Sequence, residues 1–163
     1  MNRVLMSFSL VMACAMLSCG PKAENPEKYT YTLQAVKLVL DSQISAWSKG
    51  DLDGFMNGYV QDSSVRFITA KKVKNSWQQI LTDYKKGYPT QEAMGNLDFI
   101  LDEVRWLDSN AGISQVIGRW QVIQESSGGK SLEVQVVDTL SGRFSLIFKG
   151  TDKGPRIAVD CTW

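Results

Sequence analysis

The spacing of apolar residues changes from helical to alternating near Gly95, and this change most constrains the fold. Before Gly95, apolar residues recur every three or four positions, which predicts helices. After it they alternate with polar residues, which predicts strands. Helices followed by a run of strands are typical of α+β domains. The sequence therefore predicts an α+β domain, with a long first helix lying across one face of a bent antiparallel sheet.

Three helices are predicted in the first half of the chain. The first begins near Pro26, preceded by an asparagine cap, and ends at Gly50. Asp51 can cap a short second helix. Asn75, which stands three residues before a glutamine, has the spacing of a capping box for the third helix, and Pro89 ends it.

Strands are predicted after these helices and once between them. In the long strand after Gly95 the alternation changes parity between Leu101 and Val104, which predicts a β-bulge. In the last strand the parity places Cys161 on the face of its apolar neighbours and turns Asp160 away from it. The predicted strands are 65–68, 97–106, 113–123, 134–137, 144–148 and 157–161.

The N-terminus has the pattern of a secretory signal peptide. An apolar run from Val4 to Leu17 follows Arg3 and is too short to span a bilayer. A serine directly before Cys19 resembles the lipobox of bacterial lipoproteins, and an ordinary signal peptide cut before Cys19 is the alternative. The lipobox implies a leader at 1–18, lipid on Cys19 as the membrane attachment, a tether over 19–25 and one domain at 26–163. It also implies a periplasm-facing envelope protein, and Gly20 favours the outer membrane.

The composition excludes several kinds of function. Removal of residues 1–18 takes away one arginine and no acid, which leaves 17 basic against 17 acidic groups and no basic stripe for nucleic acid. The chain has no histidine. Histidine activates nucleophiles and is the commonest ligand of transition metals, so no metal or cofactor is expected. Carboxylates alone could still hold a hard cation, but the sequence has no calcium-loop spacing. Cys14 would leave with the leader and Cys19 would carry the lipid, so only Cys161 is expected to keep a thiol. No intramolecular disulfide is therefore expected.

A set of short motifs spans nearly the whole chain after Leu33. They are Trp47, 50–55, Tyr59, 84–89, 94–95, 118–120 and 142–148. In this order they resemble the SnoaL-like branch of the nuclear transport factor 2-like superfamily, whose fold is also described as cystatin-like. The resemblance implies a cone at 26–163, in which three helices close a curved antiparallel sheet around an apolar pocket. It also implies pairing into a homodimer.

The resemblance does not carry over the catalytic residues of ketosteroid isomerases. Aligned on 50–54, their oxyanion tyrosine falls on Gln43 and their catalytic aspartate on Phe67. Phenylalanine accepts no proton, and glutamine is a weaker donor than that tyrosine. Related chains end in Asp-His-Thr-Ser, whereas here Cys161 replaces the histidine. Without a histidine to activate it, Cys161 is expected to be a buried, unreactive thiol.

Eight side chains are candidates for the pocket wall. Tyrosine and tryptophan offer apolar area with one hydrogen-bonding group each. An arginine that points into the cone would favour a ligand with a carboxylate, whereas one on the outer face would lie in solvent. The candidates are Trp47, Tyr59, Trp77, Tyr84, Arg119, Trp120, Phe144 and Cys161.

Three functions fit these observations. The first is non-catalytic binding of a small, largely apolar molecule by a lipid-anchored envelope protein. The second is an isomerase-, dehydratase- or cyclase-like enzyme for a small carbonyl or polycyclic substrate, with Tyr59 or Tyr84 as donor and Asp62 as base. This hypothesis requires Asp62 to lie within hydrogen-bond distance of a pocket tyrosine. The third is an interaction module with a filled interior and an exposed apolar sheet face.

Overall fold

Helices dominate the first half of the chain and strands the second, as predicted. A computed structural model describes residues 31–126 and 136–163. The helices are α1 (Leu33–Ser48), α2 (Leu52–Met56), α3 (Trp77–Gly87) and α4 (Gln91–Met94). The strands are β1 (Arg66–Thr69), β2 (Val73–Asn75), β3 (Asn96–Asp108), β4 (Ile113–Ser126), β5 (Val136–Thr151) and β6 (Gly154–Thr162). The fold class is α+β, as predicted. The predicted signal peptide, Cys19 and the tether lie outside the described residues.

The six strands form one curved sheet in the order β2-β1-β6-β5-β4-β3. Strands β3 to β6 pair as an antiparallel meander, and the predicted bulge in β3 is present between Leu101 and Glu103. The prediction of an antiparallel sheet is wrong at one place, because β1 runs parallel to β6. A tight hairpin would make two strands antiparallel, but no hairpin joins β1 and β6. The long connection between them allows the parallel direction. The predicted strands 134–137 and 144–148 form one strand within the described part of β5.

The helix ends correct two predictions. Thr32 has an extended backbone and caps α1 by accepting a hydrogen bond from the Ala35 amide, so α1 starts at Leu33 and does not continue from Pro26. The cap of α3 is Ser76, one residue after the predicted Asn75. Asp51 caps α2 as predicted, accepting from the Gly54 amide at 2.8 Å. Strand β2 and helix α4 are not predicted by the sequence pattern.

Helix α1 lies across the sheet and contacts β3 and β6. Its inward face buries Val36, Leu40, Gln43 and Trp47 against the concave side of the sheet. Burial of this apolar surface is the main source of stability for the described residues, whose single cysteine, Cys161, is free. None of the helices within the described ranges has both the length and the hydrophobicity needed to cross a bilayer.

Candidate ligand-binding site

A cavity of about 270 Å³ lies between the concave face of the sheet and the helices. Nine of its eighteen lining residues are aromatic, and four more are aliphatic. The aromatic residues are Trp47, Phe55, Tyr59, Phe67, Tyr84, Tyr88, Phe99, Trp120 and Phe144. The wall is therefore mostly apolar, with a few polar groups that can orient a ligand.

One acidic side chain is buried in this wall. Asp160 is 6% exposed, and its Oδ2 accepts a hydrogen bond from the Tyr59 hydroxyl at 2.6 Å. The apolar alternation of the last strand predicts that Asp160 points away from the cavity, and this prediction is wrong. Ile147 pairs with Val159 and Phe148 pairs with Ile157, so one extra residue bulges from β6 between them. The bulge reverses the parity of the strand and directs Asp160 inward.

Tyr59 is fixed beside β6 by the backbone. It forms an isolated parallel bridge with Ile157, and the Val60 amide donates to the Ile157 carbonyl at 2.9 Å. The Ile157 amide in turn donates to the Gly58 carbonyl at 2.9 Å. A Cβ at Gly58 would lie 2.7 Å from the buried side chain of Gln43, so a glycine lets this turn approach α1. The hydroxyl of Tyr59 is thereby held against Asp160 on a rigid support.

Burial changes the protonation equilibria at this pair. It raises the pKa of Asp160 to about 6, and the hydrogen bond from Tyr59 limits the rise. Burial also raises the pKa of Tyr59 well above its ordinary value, and the negative charge of Asp160 adds to this effect. The pKa of Tyr84 is raised by burial first and by Asp160 second. Both tyrosines are therefore neutral hydrogen-bond donors at neutral pH, and the carboxyl titrates close to it.

Half-buried residues of β1, β2 and α3 form one part of the cavity wall. The Lys74 ammonium pairs with Asp83 at 3.0 Å and lies 5.3 Å from the centre of the Phe67 ring. On the other side, the Trp120 indole donates to the Thr162 hydroxyl at 2.9 Å. The two charged groups in this part of the wall, Lys74 and Asp83, are thus paired with each other, and the residues next to them are aromatic.

The fold agrees with that of known structures. The chain is 32% identical to a nuclear transport factor 2-like protein of unknown function from Shewanella oneidensis MR-1, with a TM-score of 0.67. The match covers 79% of this chain and 96% of the other. The chain belongs to the nuclear transport factor 2-like superfamily. Neither a protein-family model nor a curated protein matches the sequence.

Other members of the superfamily share the fold at lower identity. A ketosteroid isomerase-like protein from Erwinia carotovora atroseptica SCRI1043 is 13% identical, with a TM-score of 0.60 over 80% of this chain and 93% of the other. A domain of unknown function with a cystatin-like fold from Nostoc punctiforme PCC 73102 is 18% identical, with a TM-score of 0.60 over 79% of this chain and 74% of the other. These similarities establish the architecture alone.

The nuclear transport factor 2-like fold brings five of the eight predicted pocket residues together. They are Trp47, Tyr59, Tyr84, Trp120 and Phe144. The contacts among the aromatic residues are close, since the ring centre of Trp47 lies 5.1 Å from that of Phe55 and 4.9 Å from that of Tyr88. The Trp47 indole also donates to the buried Met94 carbonyl at 2.9 Å, which fixes its orientation.

The other three predicted residues do not line the cavity. Trp77 begins α3, and its indole donates to the Met56 carbonyl at 2.8 Å. Arg119 is exposed on the outer face of the sheet, where it pairs with Asp102 at 3.1 Å. Cys161 lies on that outer face because the bulge in β6 reverses the parity, and it is half-buried.

Asp62, the predicted base of the enzyme hypothesis, does not line the cavity. Asp62 is exposed, and its carboxylate accepts a hydrogen bond from the Ser64 amide at 2.6 Å, which lowers its pKa. It is hydrogen-bonded to no pocket tyrosine, whereas Asp160 meets that requirement. Gln43 and Phe67, the positions aligned with isomerase residues, do line the cavity, and the Gln43 amide donates to the Phe55 carbonyl at 3.0 Å.

Metal binding was not expected from the sequence. Among residues 31–126 and 136–163, no group of three or more His, Cys, Asp or Glu side chains is arranged to hold a metal ion. The chemistry of the described cavity comes from its aromatic surface and the Tyr59–Asp160 pair.

Proposed function

We propose that the cavity binds a small, largely apolar molecule. The observation that carries this proposal is the aromatic cavity of about 270 Å³ with a buried hydrogen-bonded pair, Tyr59 and Asp160, in its wall. Burial of apolar ligand surface contributes about 25 cal/mol per Å². The pair gives the ligand one polar contact, which fixes its orientation.

The cavity favours this proposal over the interaction module. That hypothesis expects an interior filled by side chains, and the described interior contains a cavity instead. The outer face of the sheet also carries charged groups, since Asp102 pairs there with both Arg119 and Arg143. An apolar docking surface would be depleted of charges at its centre.

Native mass spectrometry tests the proposal directly. The protein is purified from its own host, and its mass is recorded under native and denaturing conditions. We expect additional mass that disappears on denaturation. Leu146→Trp should abolish it, because Leu146 lines the cavity. Ile147→Trp is the matched control, since its side chain points to the opposite face of β5. Identical spectra for all three proteins at the ligand-free mass would contradict ligand binding.

The state of Asp160 supports a second candidate function. A carboxyl with a pKa of about 6 beside a neutral tyrosine can exchange protons with a substrate near neutral pH. An enzyme for a small carbonyl compound would use Asp160 as the base, with Tyr59 or Tyr84 as hydrogen-bond donor. Incubation of phenylacetone in D₂O with the wild-type protein should then place deuterium next to the carbonyl faster than Asp160→Asn does. Equal rates would exclude this function for that substrate.

Location, assembly and closer kinship are further parts of the proposal. The pattern ahead of Cys19 supports a lipid-anchored protein of the bacterial envelope that faces the periplasm, with the outer membrane preferred. The motif order supports the SnoaL-like branch and a homodimer. Expression of the full chain in a Gram-negative host with an alkyne analogue of palmitate should label the wild type and leave Cys19→Ser unlabelled. Light scattering of the detergent-solubilised protein should give twice the mass of one chain.

A further inference from the structure

The cavity contains a buried acid without a basic partner. Among the described residues, no lysine or arginine forms a salt bridge with Asp160. Lys74 and Asp83, which also line the cavity, form a salt bridge with each other. Tyr59 occupies Oδ2 of Asp160, and Oδ1 accepts no hydrogen bond from the described residues. A buried carboxylate is costly unless an opposite charge compensates it. One oxygen of the Asp160 carboxyl is therefore free to accept a hydrogen bond from a ligand.

The aromatic walls are suited to supply the rest of a cation site. Faces of aromatic rings attract an organic cation through their quadrupole, and tryptophan does so best. Trp47, Tyr84 and Tyr88 stand together, with the ring centres of Tyr84 and Tyr88 at 6.1 Å. Trp120 lies on the opposite wall of the same cavity. A ligand that carries a positive charge meets aromatic surface on several sides and one carboxylate.

Building on the proposed ligand binding, we infer that the cavity selects an organic amine: a protonated primary or secondary amino group on an apolar, ring-containing body. The ammonium group donates to the unoccupied oxygen of Asp160, and the apolar body packs against the aromatic walls. The Tyr59 hydroxyl holds the carboxylate in place, so Tyr59 is a positioning residue. The inference deepens the proposed function and depends on it.

The charge of Asp160 makes this selection depend on pH. Helix α1 contributes Gln43 to the cavity, and the described side chains of β3, β4 and β5 that line it are uncharged. Below about pH 6 the carboxyl becomes protonated and loses its attraction for an ammonium group. The titratable groups that face the cavity besides Asp160 are Tyr59, Tyr84, Tyr88, Lys74 and Asp83.

Calorimetry with three matched probes tests the inference. The probes are 2-phenylethylamine, 2-phenylethanol and phenylacetone, which present an ammonium, a hydroxyl and a carbonyl group on the same ring. Titrations use the full chain at pH 8 and pH 4.5, where the amine stays protonated. At pH 8 the amine should bind about tenfold or more tightly than the alcohol, as expected for a charge-assisted hydrogen bond. At pH 4.5 the difference should fall to about threefold or less.

Two variants and a control connect the result to Asp160. Asp160→Asn should abolish the preference for the amine, so that amine and alcohol bind with about equal affinity. Tyr59→Phe keeps the carboxylate and removes its donor, so the preference should persist and be lost at a higher pH than in the wild type. Asp152→Asn, in the exposed turn between β5 and β6, should behave as the wild type.

The outcomes separate this inference from the proposed function. Equal affinities for amine and alcohol at pH 8 would overturn the inference and leave ligand binding intact. Stronger binding of the ketone at pH 4.5 than at pH 8 would overturn it too, since Asp160 would then act as a neutral donor. Failure of all three probes in the wild type would overturn the inference and count against the cavity as a binding site.

Discussion

Replacement of Asp160 by asparagine should stabilise the protein at alkaline pH. The carboxyl has an ordinary pKa of 3.8, and burial raises it to about 6. A difference of about two pKa units corresponds to about 3 kcal/mol, which is the cost of ionising this group in the folded state. Asparagine carries no charge and keeps an oxygen that accepts from the Tyr59 hydroxyl. We therefore expect a gain of up to about 3 kcal/mol for the variant at pH 8 and of only about 1 kcal/mol at pH 4.5.

The direction of the pH dependence follows from proton binding. Between about pH 4 and pH 6 the folded state holds a proton on Asp160 that the unfolded state has lost. The free energy of unfolding of the wild type therefore falls as pH rises through this range and becomes constant only near pH 7. The sequence contains no histidine, so no other side chain ordinarily titrates between pH 5 and 7. The lowered pKa values of Asp62, Asp83 and Glu92 place their titration below this range.

Urea unfolding followed by tryptophan fluorescence measures this effect. Ligand is first removed by unfolding and refolding, because bound ligand would add its own stabilisation. The wild type and Asp152→Asn should lose stability between pH 5 and pH 7, and Asp160→Asn should not. If the wild type and Asp160→Asn show the same pH dependence, Asp160 is hydrated in the folded state and the argument from its burial is refuted.

Three further predictions test the structure around the cavity by urea unfolding. Trp47→Phe removes the donor to the buried Met94 carbonyl and should cost about 1–3 kcal/mol, so an unchanged stability would contradict this hydrogen bond. Gly118→Ala should lower the free energy of unfolding by about 2 kcal/mol or more, because the new Cβ would lie 2.5 Å from a backbone oxygen of β3. Gly87→Ala is the control, since its Cβ would lie in open space, and it should change stability by less than about 1 kcal/mol. Asp102→Asn breaks two exposed ion pairs on the outer face and should cost less than about 1 kcal/mol, and a larger loss would show that these charges are desolvated.

Much of the fold could be predicted from the sequence because its periodicities are long and uninterrupted. The structure begins α1 at Leu33 because Thr32 caps it, whereas the sequence pattern favours an asparagine-proline start that lies outside the described residues. Strand β2 has three residues and helix α4 has four, which is too short for a periodic pattern. The parallel pairing of β1 with β6 depends on tertiary packing and leaves no local trace.

The site was predicted less well than the fold, and two bulges explain why. In β3 the bulge was visible because Asp102 and Glu103 interrupt the apolar alternation. In β6 the extra residue is Ala158, and both it and the following Val159 are half-buried. No polar residue marks the break, so the alternation continues past it in sequence while the side chains change faces. The sequence pattern therefore places Cys161 on the inner face of the sheet and Asp160 on the outer face, the reverse of the arrangement in the structure.

The same carboxylate is expected to oppose stability and to favour an amine ligand. Above pH 6 its charge costs the ligand-free protein about 3 kcal/mol, and that uncompensated charge is what would attract an ammonium group. Asp160→Asn should therefore gain stability and lose amine selectivity together, and the difference in stability between the wild type and the variant should shrink when 2-phenylethylamine is present at saturation. Thermal unfolding with and without the amine at pH 8 measures both effects in one experiment. A variant that became more stable and kept its preference for the amine would show that another group binds the ammonium, and the assignment to Asp160 would be wrong.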